Sequence, residues 1–146
     1  MSSMKIQLPD TRRMEVALKN DTLGIAQLFV LRGLGFEQEE NLILAIDDYE
    51  TALRISPGNA QILYRRGVAF SKKGDLDRAI ATFDEALRII PEFVDVLYAR
   101  GNVWWNKRRF DRAIEDYDAV LRLNPSDEQA INSREAMLRK EIAVSA

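Results

Sequence analysis

Polar and apolar positions alternate with a helical rhythm through residues 63–91, LYRRGVAFSKKGDLDRAIATFDEALRIIP. Leu63, Gly67 and Phe70 share one face, and Ala79, Phe83, Ala86 and Leu87 share another. That is the i, i+3/i+4, i+7 spacing of two amphipathic helices. Gly74 and Asp75 lie between them: Gly takes the left-handed conformation that ends a helix, and Asp caps the next. Pro91 stops the second helix, because it has no backbone N–H and biases the residue before it away from helix.

The pattern recurs at a fixed distance. Gly33, Gly67 and Gly101 stand 34 residues apart, as do Ala45, Ala79 and Ala113, and Pro57, Pro91 and Pro125. Tyr49, Phe83 and Tyr117 share a place, Phe36, Phe70 and Trp104 another, and Leu53, Leu87 and Leu121 a third. Ungapped agreement at so many positions in three copies marks a repeat protein.

These residues resemble the tetratricopeptide repeat family, whose pattern is W-x2-L-G-x2-Y, then A-x3-F, then P. Here the first halves read Phe29-x2-Arg32-Gly33-x2-Phe36, Leu63-x2-Arg66-Gly67-x2-Phe70 and Leu97-x2-Arg100-Gly101-x2-Trp104. The second halves read Ala45-x3-Tyr49, Ala79-x3-Phe83 and Ala113-x3-Tyr117. The resemblance implies an all-α, right-handed α-solenoid of antiparallel helix pairs: three 34-residue motifs over residues 26–59, 60–93 and 94–127, with capping helices at the ends. The shared residues are packing residues, so the resemblance speaks to fold far more than to function.

Outside the repeats the pattern weakens. Residues 1–9 lack periodicity and read as a loose tail, with residues 5–8 as a candidate strand. Asp10 is a candidate cap for a short helix to about Asn20, and Asp21 or Thr22 should begin the first repeat helix. After Pro125, Ser126 and Asp127 are N-cap candidates for a last helix over about 128–142, with residues 128–146 forming a C-terminal cap and tail. Its Ala130, Ile131, Met137 and Leu138 would cover the end of the third repeat, leaving a polar outer face. Glu40-Asn41 and Arg108-Arg109 replace Gly74-Asp75 in the other two repeats, so the third inter-helix turn must close without Gly.

Composition narrows the function. The chain has 146 residues, formal net charge −2, no Cys and no His. This excludes a disulfide framework, thiolate or His-ligated metal sites, a cysteine nucleophile and Ser-His-Asp machinery. Adjacent carboxylates such as Asp47/Asp48 and Glu115/Asp116 point apart on a helix. The expectation is therefore no enzyme, no cofactor and no metal. Near-neutral charge gives no general pull toward nucleic acid or membrane, and neither is expected as a partner. The most apolar window, residues 23–31, is broken by Gln27 and closed by Arg32, far short of a membrane span. With no signal-peptide core at the start, cytoplasmic is the expected localisation.

Charged residues also recur. Arg32, Arg66 and Arg100 precede the helix glycines, and Asp48, Asp84 and Asp118 recur in the second helices; the two sets are expected to pair. Lys72-Lys73 and Lys107-Arg108-Arg109-Arg112 put cations at the inter-helix turns, among Asp75, Asp77, Asp111 and Glu115, as a mixed-sign solvated rim.

By the resemblance, the first helices line a concave groove. Its candidate peptide-binding residues are Gln27, Val30 and Leu34; Gln61, Tyr64 and Val68; and Asp95, Tyr98, Asn102 and Trp105. Val30, Tyr64 and Tyr98 would form a stripe across it. Trp105 follows the core aromatic Trp104 and should be less buried. Tyr and Trp offer large contact area with a polar tip, as recognition surfaces use. The expected function is a protein-interaction module taking a peptide or helix of an unidentified partner protein. The alternative is a self-assembling scaffold, a homo-oligomer joined through exposed aromatic or terminal-helix surface. Some members of the family grip acidic chaperone tails with a carboxylate clamp of Lys, Asn and Arg. The matching places hold Val30, Leu34, Arg65, Asp95 and Ala99, so chaperone carboxylate-tail binding is not expected.

Overall fold

A computed structural model describes residues 11–146 of the protein; the candidate tail and strand at residues 1–9 and the candidate cap Asp10 lie outside the described residues. Among the described residues seven helices follow one another: α1 (Thr11–Gln38), α2 (Leu42–Ile55), α3 (Ala60–Lys73), α4 (Leu76–Ile89), α5 (Val94–Asn106), α6 (Phe110–Leu123) and α7 (Glu128–Ser145). No strand occurs among the described residues. Each helix packs on the next, and α3 also touches α5. This is an all-α helical-repeat solenoid.

The N-terminal end departs from expectation. The short cap helix does not stop near Asn20 but runs unbroken into the first repeat helix as α1. The physical reason is that neither Gly nor Pro stands between Thr11 and Leu23. Asp21 and Thr22 favour caps, but a helix passes through them at small cost when nothing forces it to end.

The three inter-helix turns share one geometry. The backbone N–H of Asn41, Asp75 and Arg109 donates to the carbonyl of Phe36, Phe70 and Trp104 at 2.8, 2.9 and 2.9 Å. This bond needs a left-handed residue just before it. Gly74 supplies φ 85°, and Glu40 and Arg108 are held at φ 59° and 60°. The third turn therefore closes without Gly at unchanged length, by straining Arg108. Asn41 and Asp75 then cap α2 and α4, accepting from the amides of Leu44 and Arg78, whereas Arg109 gives α6 no side-chain cap.

Between the helices of each pair, the glycine of the first meets the aromatic of the second. Tyr49, Phe83 and Tyr117 are fully buried, beside equally buried Ala45, Ala79 and Ala113. At the far end α7 lays buried Ala130 and Met137 on this stack, with Ile131 and Leu138 half-buried.

The recurring arginine and aspartate sets pair at two places, Arg32 with Asp48 and Arg100 with Asp84, and take other partners elsewhere. Arg32 donates from Nε and Nη2 to both Asp48 oxygens at 2.8 and 2.7 Å. Arg100 makes the same fork, at 3.0 and 2.6 Å, with Asp116, and Nη1 binds Asp84 at 2.6 Å. Asp118 instead pairs with Arg134 of α7. Two registers are interleaved: Asp48 aligns with Thr82 and Asp116, while Asp84 aligns with Glu50 and Asp118. With Thr82 in place of a carboxylate, Arg66 reaches only Glu85 at 3.4 Å, and its buried Nε has no partner.

Candidate functional site

The expected groove residues lie on α1, α3 and α5, in rows set by the repeat. Gln27, Gln61 and Asp95 are exposed. The next row is largely covered: Val30 is buried, and Tyr64 and Tyr98 are half-buried. Tyr64 packs against Phe93 with ring centroids 5.7 Å apart, and the Arg65 guanidinium lies 5.9 Å from its ring centre. Tyr98 packs against Tyr117 at 6.1 Å. In the third row Leu34 and Val68 are half-buried and Asn102 is exposed. Val30 thus belongs to the core, and the expected stripe reduces to the accessible parts of two tyrosines.

Hydrogen bonds commit some of these groups. The Tyr98 hydroxyl donates to Asp127 Oδ1, and that carboxylate also caps α7 by accepting from the Ala130 amide at 2.9 Å. The Tyr98 hydroxyl, ahead of the amide, holds the Asp127 carboxyl below its usual range. Burial first, and then Asp127, pushes the Tyr98 phenol up. The Tyr117 hydroxyl donates to Asn102 Oδ1 at 2.6 Å, fixing that amide; burial, reinforced by Asp116, pushes the Tyr117 phenol up to about 12. Tyr98 and Asn102 are therefore tied to the last helix and the core of their repeat. This link between distant parts of the chain leaves no mark in periodicity.

Trp105 does stand out as expected, 47% exposed beside the half-buried Trp104. With Asn106, Arg108, Phe110 and Lys140 it lines a cavity of about 330 Å³. Two cations and an indole around one hollow favour an acidic or aromatic group. A larger open cleft of about 610 Å³ lies between α4 and α6, lined by Arg88, Arg100 and Arg112 with Asp84, Glu115 and Asp116. Sequence reasoning missed it.

The basic turns carry acids beside them. Lys107 binds Asp77 at 2.5 Å, Arg109 binds Asp111 at 3.2 Å and Arg112 binds Glu115 at 3.3 Å. The rim is mixed in sign. Among the described residues no cluster of acidic side chains could hold a metal, and no helix is long and apolar enough to cross a membrane.

Comparison with known proteins places this architecture. The tetratricopeptide repeat profile matches residues 60–93 and 94–127, and a second TPR repeat profile matches residues 38–74. The chain belongs to the tetratricopeptide repeat family, whose domains are in general non-enzymatic protein-interaction modules. No curated protein matches it in sequence. Solved structures share the fold. The first TPR of Spaghetti (RPAP3) bound to the HSP90 peptide SRMEEVD superposes with a TM-score of 0.76 at 20% identity, over 84% of this chain and 95% of that one. The second TPR domain of human RPAP3, in complex with the HSP70 peptide SGPTIEEVD, gives 0.68 at 22%, over 77% and 97%. The Sgt2 TPR domain from Aspergillus fumigatus gives 0.75 at 21%, over 82% and 81%.

These structures correct one expectation. Two of these TPR domains hold an HSP90 or an HSP70 peptide ending in EEVD, so the exclusion of chaperone carboxylate tails does not stand. It rested on five places, Val30, Leu34, Arg65, Asp95 and Ala99, carried over by register. Val30 is in fact buried, while exposed Lys72 and the hollow at Arg108 and Lys140 offer cations that the register did not count.

Proposed function

We propose that the protein is a non-enzymatic interaction module that receives an extended peptide or a helix of a partner protein across α1, α3 and α5. The observation that carries this reading is Trp105, a large aromatic half open to water at the edge of a hollow. An exposed indole beside a cavity offers contact area that a ligand can desolvate, the usual anchor of a recognition surface. Arg108 and Lys140 at the same hollow favour an acidic segment, and the peptides held by the RPAP3 domains are of that kind. Tyr64, Gln61 and Gln27 extend the surface toward α1, so a ligand reaching them lies across the repeats.

A peptide array carrying acidic C-terminal, acidic internal and neutral sequences tests this with wild type, Trp105→Ala and a control on a second helix, Leu123→Ala. The expected result is binding weighted toward acidic peptides, lost in Trp105→Ala and kept in Leu123→Ala. Equal binding by all three proteins would overturn the assignment of the surface.

A further inference from the structure

Repeats two and three bury positions that the first repeat leaves open. Ile62 and Val96 are 5% and 0% exposed, Ala69 and Val103 are buried with them, and Phe93 is buried at the start of α5. In the 34-residue register their counterparts in the first repeat are Leu28, Ile25 and Gly35. Leu28 is 66% exposed and Ile25 38%, and a side chain added at Gly35 would meet nothing within 4 Å. Each first helix has its own second helix and a following repeat or cap. What covers these positions on α3 and α5, and is lacking on α1 among the described residues, is the preceding repeat. The open face of α1 is thus a repeat interface without its mate.

Arg100 shows what a mate supplies besides apolar cover. Its Nε and Nη2 are held by Asp116 of its own repeat, and its Nη1 by Asp84 of the repeat before. Arg32 makes only the first two bonds, to Asp48. Its Nη1 has no acceptor among the described residues, and its side chain is 61% exposed. The missing mate therefore has apolar residues and one carboxylate at a set distance.

We propose that the mate is the same face of a second copy, with α1 against α1, antiparallel about a twofold axis. Residues equidistant from a point between Ala26 and Gln27 then face each other. Ile25 stands opposite Leu28, and Asp21 opposite Arg32. All four fall on one side of the helix at its 3.6-residue turn. Each copy covers the other's apolar positions and brings a carboxylate to the other's Arg32, the self-complementarity that a twofold interface requires. A head-to-tail stack fits worse, because α7 closes the other end with exposed Gln129, Asn132, Glu135 and Arg139. Gln27 and Leu34 look to a different side of α1, so this pairing stands or falls apart from the peptide surface.

The chain has no Cys, so Leu28→Cys introduces a single thiol. Sedimentation equilibrium across a dilution series should show wild type in a reversible monomer–dimer equilibrium. Leu28→Asp should weaken it by about a hundredfold or more, since each dimer loses two buried leucines, with far-UV circular dichroism unchanged. Asp21→Lys should weaken it less. On mild oxidation Leu28→Cys should form disulfide dimers, which a head-to-tail contact would not allow, and Leu123→Cys should not. Wild type monomeric at every concentration, dimers unaffected by Leu28→Asp, or failure of Leu28→Cys to cross-link a dimeric protein would each overturn the proposal.

Discussion

Gly67→Ala is the substitution for which the packing makes the sharpest prediction. Alanine in a helix interior is favoured over Gly by about 1 kcal/mol, so propensity alone says the variant is more stable. The added Cβ, however, would stand 2.4 Å from Cε1 and 2.7 Å from Cδ1 of Phe83. The Phe83 ring is fully buried and cannot swing away. Overpacking of this kind costs about 1–3 kcal/mol, and a contact this short belongs at the upper end. Subtracting the propensity gain leaves a net loss of about 1–2 kcal/mol. Two further substitutions calibrate the reasoning. At Gly101 the nearest atom, Tyr117 Cε1, would be 3.1 Å away, so Gly101→Ala should be near neutral. At Gly35 the space is open, and Gly35→Ala should gain about 0.5–1 kcal/mol. Urea unfolding followed by circular dichroism, at protein concentrations low enough to keep the chain monomeric, gives the three midpoints. The expected order is Gly35→Ala above wild type, Gly101→Ala near it and Gly67→Ala below. Gly67→Ala as stable as Gly35→Ala would refute the claim that close helix approach, rather than chain flexibility, sets this residue.

Other outcomes follow from the same geometry. Arg108→Gly should stabilise by about 0.5–1 kcal/mol in urea unfolding, because it relieves a left-handed residue with a side chain at the α5–α6 turn. Asp116→Ala should cost about 2 kcal/mol, leaving the mostly buried Arg100 with Asp84 alone, whereas Asp48→Ala should cost under about 1 kcal/mol because Arg32 is already largely in water. All four tyrosines have phenols pushed up, chiefly by burial. Folding therefore favours the protonated phenol: that stability is fully present below the unfolded tyrosine pKa of about 10 and is lost as pH rises toward the folded values. Tyrosinate absorbance should stay low in the folded protein at pH 10 and appear together with unfolding as pH climbs; full titration at pH 10 with the helices intact would contradict it.

The fold was legible because the residues that make the repeat are the ones that pack it. Gly67, Ala79 and Phe83 announce a close helix crossing by size alone, and Pro91 and Gly74 announce the ends. The continuity of α1 was not legible, since Asp21 and Thr22 look like a helix start and only the absence of a breaker shows that the chain need not stop. The turns at Glu40 and Arg108 were half legible: the missing glycines were visible, but whether the turn would lengthen or would strain a side chain was not. The arginine pairing was legible in part: Arg32–Asp48 and Arg100–Asp84 join the two recurring sets, but the roles of Asp116 and Asp118 were not seen, because Thr82 interrupts one acidic row and Asp84 belongs to its neighbour. The candidate surface was the least legible part. Register alone assigned Val30 to an open groove that burial closes to it, and it could not see that Tyr98 spends its hydroxyl on the cap of α7. Trp105 was found because its neighbour Trp104 already filled the core place.

The claim that recognition runs along the first helices is tested most directly by amide chemical-shift mapping. The protein, labelled with nitrogen-15, is titrated with an acidic peptide taken from the array. The account predicts the largest shifts at Trp105, Asn106 and Lys140, continuing through Gln61 and Tyr64 on α3, with α2 and α4 unmoved. Shifts gathered instead around Arg88 and Arg112, at the cleft between α4 and α6, would contradict it.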